Sequence, residues 1–224
     1  MKRITAVLLA LLVLLAVPGS ASAAPTDISK PSQVNAAVSN GHAWITNIVC
    51  NGQGCFNHYV RVCDYGFNSS STIAARIIDA LNQWNAIDGE LLYEWMGSWS
   101  DATCNSEMAN SPLPTVMITN AQLSGSPVGL LGQTDNNWIN AQGKIYNCRV
   151  DIDRAGATWN GQWNMQGVTG SWYTGSGSPG PTQLDFEGTV AHEMGHCLSW
   201  DNHLDSPNGA LMYNCWSPTC ASPP

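Results

Sequence analysis

Eight cysteines constrain what this chain can fold into more than any other feature. They stand at Cys50, Cys55, Cys63, Cys104, Cys148, Cys197, Cys215 and Cys220, all behind an N-terminal apolar run. That run, ITAVLLALLVLLAV from Ile4 to Val17, follows Lys2 and Arg3 and precedes Ala21-Ser22-Ala23, which fits a small-residue cleavage site. Residues 1–23 therefore read as a secretory signal peptide, and the run is short for a retained membrane span. An even cysteine count in an exported chain is expected to form up to four disulfides. About a hundred pairings are open to eight cysteines, and spacing does not choose among them. Cys215 and Cys220 are placed to close a short C-terminal loop. A cysteine-rich metal site is the rival reading, but the spacings are irregular and no C-x-x-C pair occurs.

Removing the leader leaves roughly 200 residues, a size that one domain with a real core can occupy. Residues 24–43 are rich in Ala, Ser, Asn and Pro and read as a loose segment, with 44–224 as a single domain. The formal net charge is −8 with only 8 Lys and Arg, and loss of Lys2 and Arg3 makes it two units more acidic. Such a chain is a poor nucleic-acid binder, its acidity serving solubility with some carboxylates available for Ca²⁺; a secreted, extracellular monomer is expected.

Strands are expected where β-branched and aromatic residues gather: AWITNIVC (43–50), HYVRVCDY (58–65), ELLYEWMG (90–97) and PTVMITNA (114–121). NGQG, after the first of these, is a turn signal. SSSTIAARIIDALNQWNAIDG (69–89) predicts a helix, with Ile73, Ile77, Ala80, Leu81 and Trp84 on one face. GLLGQTDNNWINAQGKIYNCRVDID (129–153) reads as a strand pair. In its second strand Tyr146, Cys148, Val150 and Ile152 would make the apolar face, and the half-polar pattern suits a sheet edge. Residues 155–181 read as a long surface loop holding Trp159, Trp163 and Trp172. These rings either cover a core edge or form a substrate or sugar-stacking wall.

LDFEGTVAHEMGHCLSW (184–200) predicts a second helix, with Asp185 and Glu187 near its positive end. His192 and His196 are four apart, so they leave the helix on one side, one turn apart. Two imidazoles so spaced can hold one Zn²⁺, and neighbouring Glu193 can address a water on that metal as general base. The bland alternative is two histidines on a solvated helix face. His42 and His58 are isolated and read as loop or surface positions.

With H-E-x-x-H at 192–196 and ALMY at 210–213, the segment resembles the metzincin metalloproteases. The metzincin signature is H-E-x-x-H-x-x-G-x-x-H followed by a turn containing methionine, and the segment is most like the matrixin branch, in its secreted bacterial, snapalysin-like members. The resemblance spans roughly 58–214 and is specific in the last 26 residues. Upstream it rests on LNQWNA and on G-Q-T-D with G-K-I-Y-N-C-R-V-D-I. It implies an α+β fold: a twisted mixed β-sheet, an N-terminal packing helix and an active-site helix, stapled by disulfides. It also implies a zinc endopeptidase acting on protein or peptide substrates, with His192 and His196 as ligands, Glu193 as base and Met212 beneath the metal.

The departures are specific. Ser199 stands at the family's glycine and Asn202 at its third-ligand position, where snapalysin-type relatives carry aspartate. His203 is our choice of third ligand, because imidazole is a good neutral donor for zinc and a loop absorbs one extra residue at modest cost. Asp201 and Asn202 remain the rivals. Cys197 is expected to pair with Cys215 or Cys220. Only a dozen residues follow Met212, so the family's C-terminal helix is expected to be absent or replaced by the tail NCWSPTC, and no P-R-C-G-x-P-D pro-segment is visible. Two other function classes stay open: a non-catalytic secreted binding module, suggested by ten tryptophans, and an inactive metalloprotease relative.

Overall fold

A computed structural model of the chain describes residues 43–44, 47–51, 54–68, 70–86, 91–123, 130–139, 141, 144–165 and 167–198. The expected leader, His42, and the stretch carrying Ser199, Asp201, Asn202, His203, Met212, Cys215 and Cys220 lie outside them. No helix among the described residues is long and apolar enough to cross a membrane.

The fold is α+β around one mixed sheet. The run 43–50 supplies two short strands, β1 (Ala43–Trp44) and β2 (Val49–Asn51), rather than one. β2 forms a hairpin with β3 (Gly54–Phe56), closed by the Cys50–Cys55 disulfide. β4 (His58–Asp64), β5 (Leu91–Ser98), β6 (Thr115–Ala121) and β8 (Lys144–Asp153) run parallel, while β7 (Gly132–Ile139) pairs antiparallel with β8. Across the sheet the order is β5-β4-β6-β8-β7, with β1 pairing the first residues of β8.

Parallel neighbours need crossover connections, and two helices supply them. The periodic segment folds as α1 (Ser71–Asn85), capped by Ser70, whose hydroxyl accepts from the Ile73 N–H. Its predicted face is buried as expected: Ile73, Ile77, Ala80, Leu81 and Trp84. α2 (Asp101–Asn110) was not expected, because only Cys104 and Met108 of its ten residues are buried. A stripe of two is too thin to read as a helix period. Ser100 caps it, Cys104 bridges to Cys63, and Arg61 reaches its Glu107 at 2.6 Å.

Alternation along β4 divides the molecule. Val60 and Val62 face the main core with Val116, Ile118, Val150, Ile152 and the apolar face of α1, while Cys63 faces a smaller cluster with Cys104, Met108 and Met117 beneath α2.

β8 corrects two expectations. It is an interior strand, held by β6 on one side and β7 on the other; among the described residues the antiparallel edge is β7. Its polar residues are satisfied inside rather than by water. Buried Asn147 accepts from the Thr115 N–H and donates to the Met108 carbonyl, and buried Asp153 accepts from the N–H groups of Leu123 and Asn164. Its faces also differ from strict alternation, since Ile145 is buried with Cys148, Val150 and Ile152 while Tyr146 is exposed. Trp138 pairs with Asn147 and Ile139 with Ile145, so Tyr146 is an extra residue that flips the pattern.

The expected loop at 155–181 is interrupted by two strands. β9 (Gln162–Met165), β10 (Val168–Tyr173) and β11 (Gln183–Asp185) make a second, three-stranded sheet. Gly/Ser density hid strands only three to six residues long. Trp159, Trp163 and Trp172 are buried, so they cover the core and do not form a stacking wall. The Trp172 indole donates to the Asp153 carbonyl at 2.9 Å, and Trp159 and Trp172 meet Phe186 edge-on.

Candidate active site

The second predicted helix is α3 (Phe186–His196), shorter than 184–200 because residues 183–185 belong to β11. Asp185 occupies the N-cap and Glu187 the first turn, where the helix dipole favours negative charge. Phe186, Val190, Ala191 and Met194 are buried against α1 and the sheet. Three ties fix the helix along its length. Arg76 and Gln83 of α1 donate to the Glu187 carboxylate at 3.0 and 2.7 Å. The Trp84 indole donates to the Ala191 carbonyl at 2.7 Å, one residue before His192. At the far end Cys197 is bridged to Cys148 of β8, which replaces the expected pairing with Cys215 or Cys220. A cysteine opposite the histidines on α3 faces the sheet, so its partner lies on the sheet.

His192 and His196 are half-buried, their ring centroids 4.9 Å apart and nearly perpendicular. Glu193 is buried, 5% exposed. One donor atom from each of the three can be chosen so that all lie within 4.8 Å of one another, a group that could hold a metal ion. Among the described residues it is the one such group of three His, Cys, Asp or Glu side chains. His58 opens β4 and is not part of it.

Glu193 points at the edge strand. The Thr134 hydroxyl donates to its Oε2 at 2.6 Å and lies 3.0 Å from the Glu193 main-chain oxygen. Gly132, two residues earlier, leaves the space that the carboxylate fills. Burial raises this carboxyl to about 7, against the opposing effect of the Thr134 hydrogen bond. Sequence reading missed both β7 residues. The available signal was their spacing, since positions two apart on a strand share a face.

No protein-family model matches the chain, and no curated protein is significantly similar to it. The functional reading therefore rests on the site itself. Of the residues expected there, the fold brings together His192, Glu193 and His196; His203, its rivals Asp201 and Asn202, and Met212 lie outside the described residues. The donors present suit zinc. Two imidazole nitrogens beside a carboxylate match the ligand preference of Zn²⁺, whereas Ca²⁺ and Mg²⁺ prefer oxygen-only surroundings.

Proposed function

We propose that the chain is a zinc-dependent endopeptidase of the metzincin type, secreted and acting on protein or peptide substrates. The observation that carries this reading is the convergence of His192, Glu193 and His196 at the C-terminal end of a helix tied down at three points. His192 and His196 hold the ion, with His203 the preferred third ligand. Bound zinc supplies Lewis acidity to the scissile carbonyl and makes water more acidic.

The rest is the work of this chain's own groups. Glu193 takes the proton of the attacking water and delivers it to the leaving amine. Because β7, not β8, is the edge, β7 is the strand whose main chain would pair with an extended peptide beside α3. Burial of Trp159, Trp163 and Trp172 takes these three rings out of any carbohydrate-stacking surface.

Glu193→Ala tests the assignment. The variant is expected to keep its zinc while chelator-sensitive cleavage of casein falls by at least about a hundredfold. Full cleavage by the zinc-loaded variant would rule Glu193 out as the base.

A further inference from the structure

We propose that Thr134 is a positioning residue for Glu193, and that with Gly132 it forms a seat on β7 that sets where the carboxylate stands. The inference rests on the reading of Glu193 as the base.

The two halves of the seat are independent observations. A Cβ built on Gly132 would lie 2.5 Å from Glu193 Oε1, 2.6 Å from Cγ and 2.8 Å from Cδ. Those separations are far inside contact distance. Gly132 is not among the glycines with positive φ, so the backbone does not demand glycine here. What requires it is the close approach of the Glu193 side chain. Thr134 then fixes direction. It is β-branched, which restricts χ1 and so limits where its hydroxyl can point. That hydroxyl touches both Oε2 and the main-chain oxygen of residue 193. The same main-chain oxygen also receives the Cys197 N–H at 3.3 Å, next to the disulfide that anchors the helix end. The hydroxyl's single proton goes to one of these oxygens at a time, and a long, flexible side chain is thereby held against a strand.

A general base acts only within hydrogen-bond reach of the proton it takes, and displacements of about 1 Å can cost about a hundredfold in rate. A seat that fixes the carboxylate therefore acts on turnover more than on substrate binding.

The test uses the full chain carrying Thr134→Val, Thr134→Ser or Gly132→Ala, each loaded with zinc alone. Zinc per chain, kcat and KM on a fluorogenic peptide, and crystal structures of the same zinc-loaded proteins are compared. Thr134→Val is expected to keep its zinc and its KM within about twofold while kcat falls about 10- to 100-fold. Thr134→Ser, which keeps the hydroxyl, should recover most of that loss. Gly132→Ala should lose kcat likewise, with the Glu193 carboxylate displaced by about 1 Å or more in its crystal structure; this arm does not depend on Thr134→Val folding. An unmoved carboxylate in the Thr134→Val and Gly132→Ala crystals overturns the proposal, as does wild-type kcat in both, or equal loss in the Ser and Val variants. If wild-type protein cleaves nothing, the peptidase reading fails, and the crystal structures still decide whether Thr134 and Gly132 position the carboxylate.

Discussion

Asp185 bears an electrostatic strain at the residue where the site helix starts. Its carboxyl is raised to about 6, first by burial and then by the charge of Glu187, with Arg76 pulling the other way. The folded protein thus holds this proton more tightly than the unfolded chain does. The group's contribution to stability is complete below about pH 4 and is lost as pH rises through about 6. Asp185→Asn keeps the size of the side chain and cannot ionise. Relative to wild type, its stability in urea should rise by about 1 kcal/mol between pH 4 and 7.5; the full rise to about 6 corresponds to about 3 kcal/mol before allowance for solvent screening. A difference between the two proteins that stays flat with pH would contradict the burial argument. The same burial at Glu193 could not be read from the sequence. H-E-x-x-H names the carboxylate, but Thr134 of the strand that would seat it is 59 residues away in the chain, and only folding brings it there.

The elements that anchor the site are short ties between long-separated segments. The Cys148–Cys197 bridge joins β8 to the end of α3 across 49 residues of sequence. Closing a loop of that length restricts the unfolded chain by about 4 kcal/mol in the chain-entropy model. The double variant Cys148→Ala/Cys197→Ala should therefore unfold in urea with a loss of about 2–5 kcal/mol. A midpoint within error of wild type would show that the bridge adds nothing to the fold. α1 was legible because five apolar residues repeat at helical spacing and every one is buried. α2 was not, since its hold on the sheet comes from a disulfide, a cap and the Arg61–Glu107 ion pair rather than from an apolar stripe. The interior position of β8 was hidden for a related reason. Its Asn147 and Asp153 look like surface residues until their buried hydrogen-bond partners are known.

Across the described residues, one mixed sheet separates a large core under α1 and α3 from a small one under α2, and disulfides staple α2 and the end of α3 to that sheet. The second sheet and its buried tryptophans brace the start of α3 around Phe186, so the histidines project from a helix supported at both ends. Period and motif were enough to place that helix in the chain; the pairing of Cys197 and the order of the strands depend on contacts between distant segments, which local patterns do not encode. The central claim is that His192 and His196 together hold a metal ion. The direct measurement is the zinc content of the purified full chain after dialysis, beside His192→Ala treated identically. About one zinc per chain in wild type and almost none in the variant is the expected result. A wild type that takes up no zinc when it is offered, or a His192→Ala protein that binds as much, would contradict it.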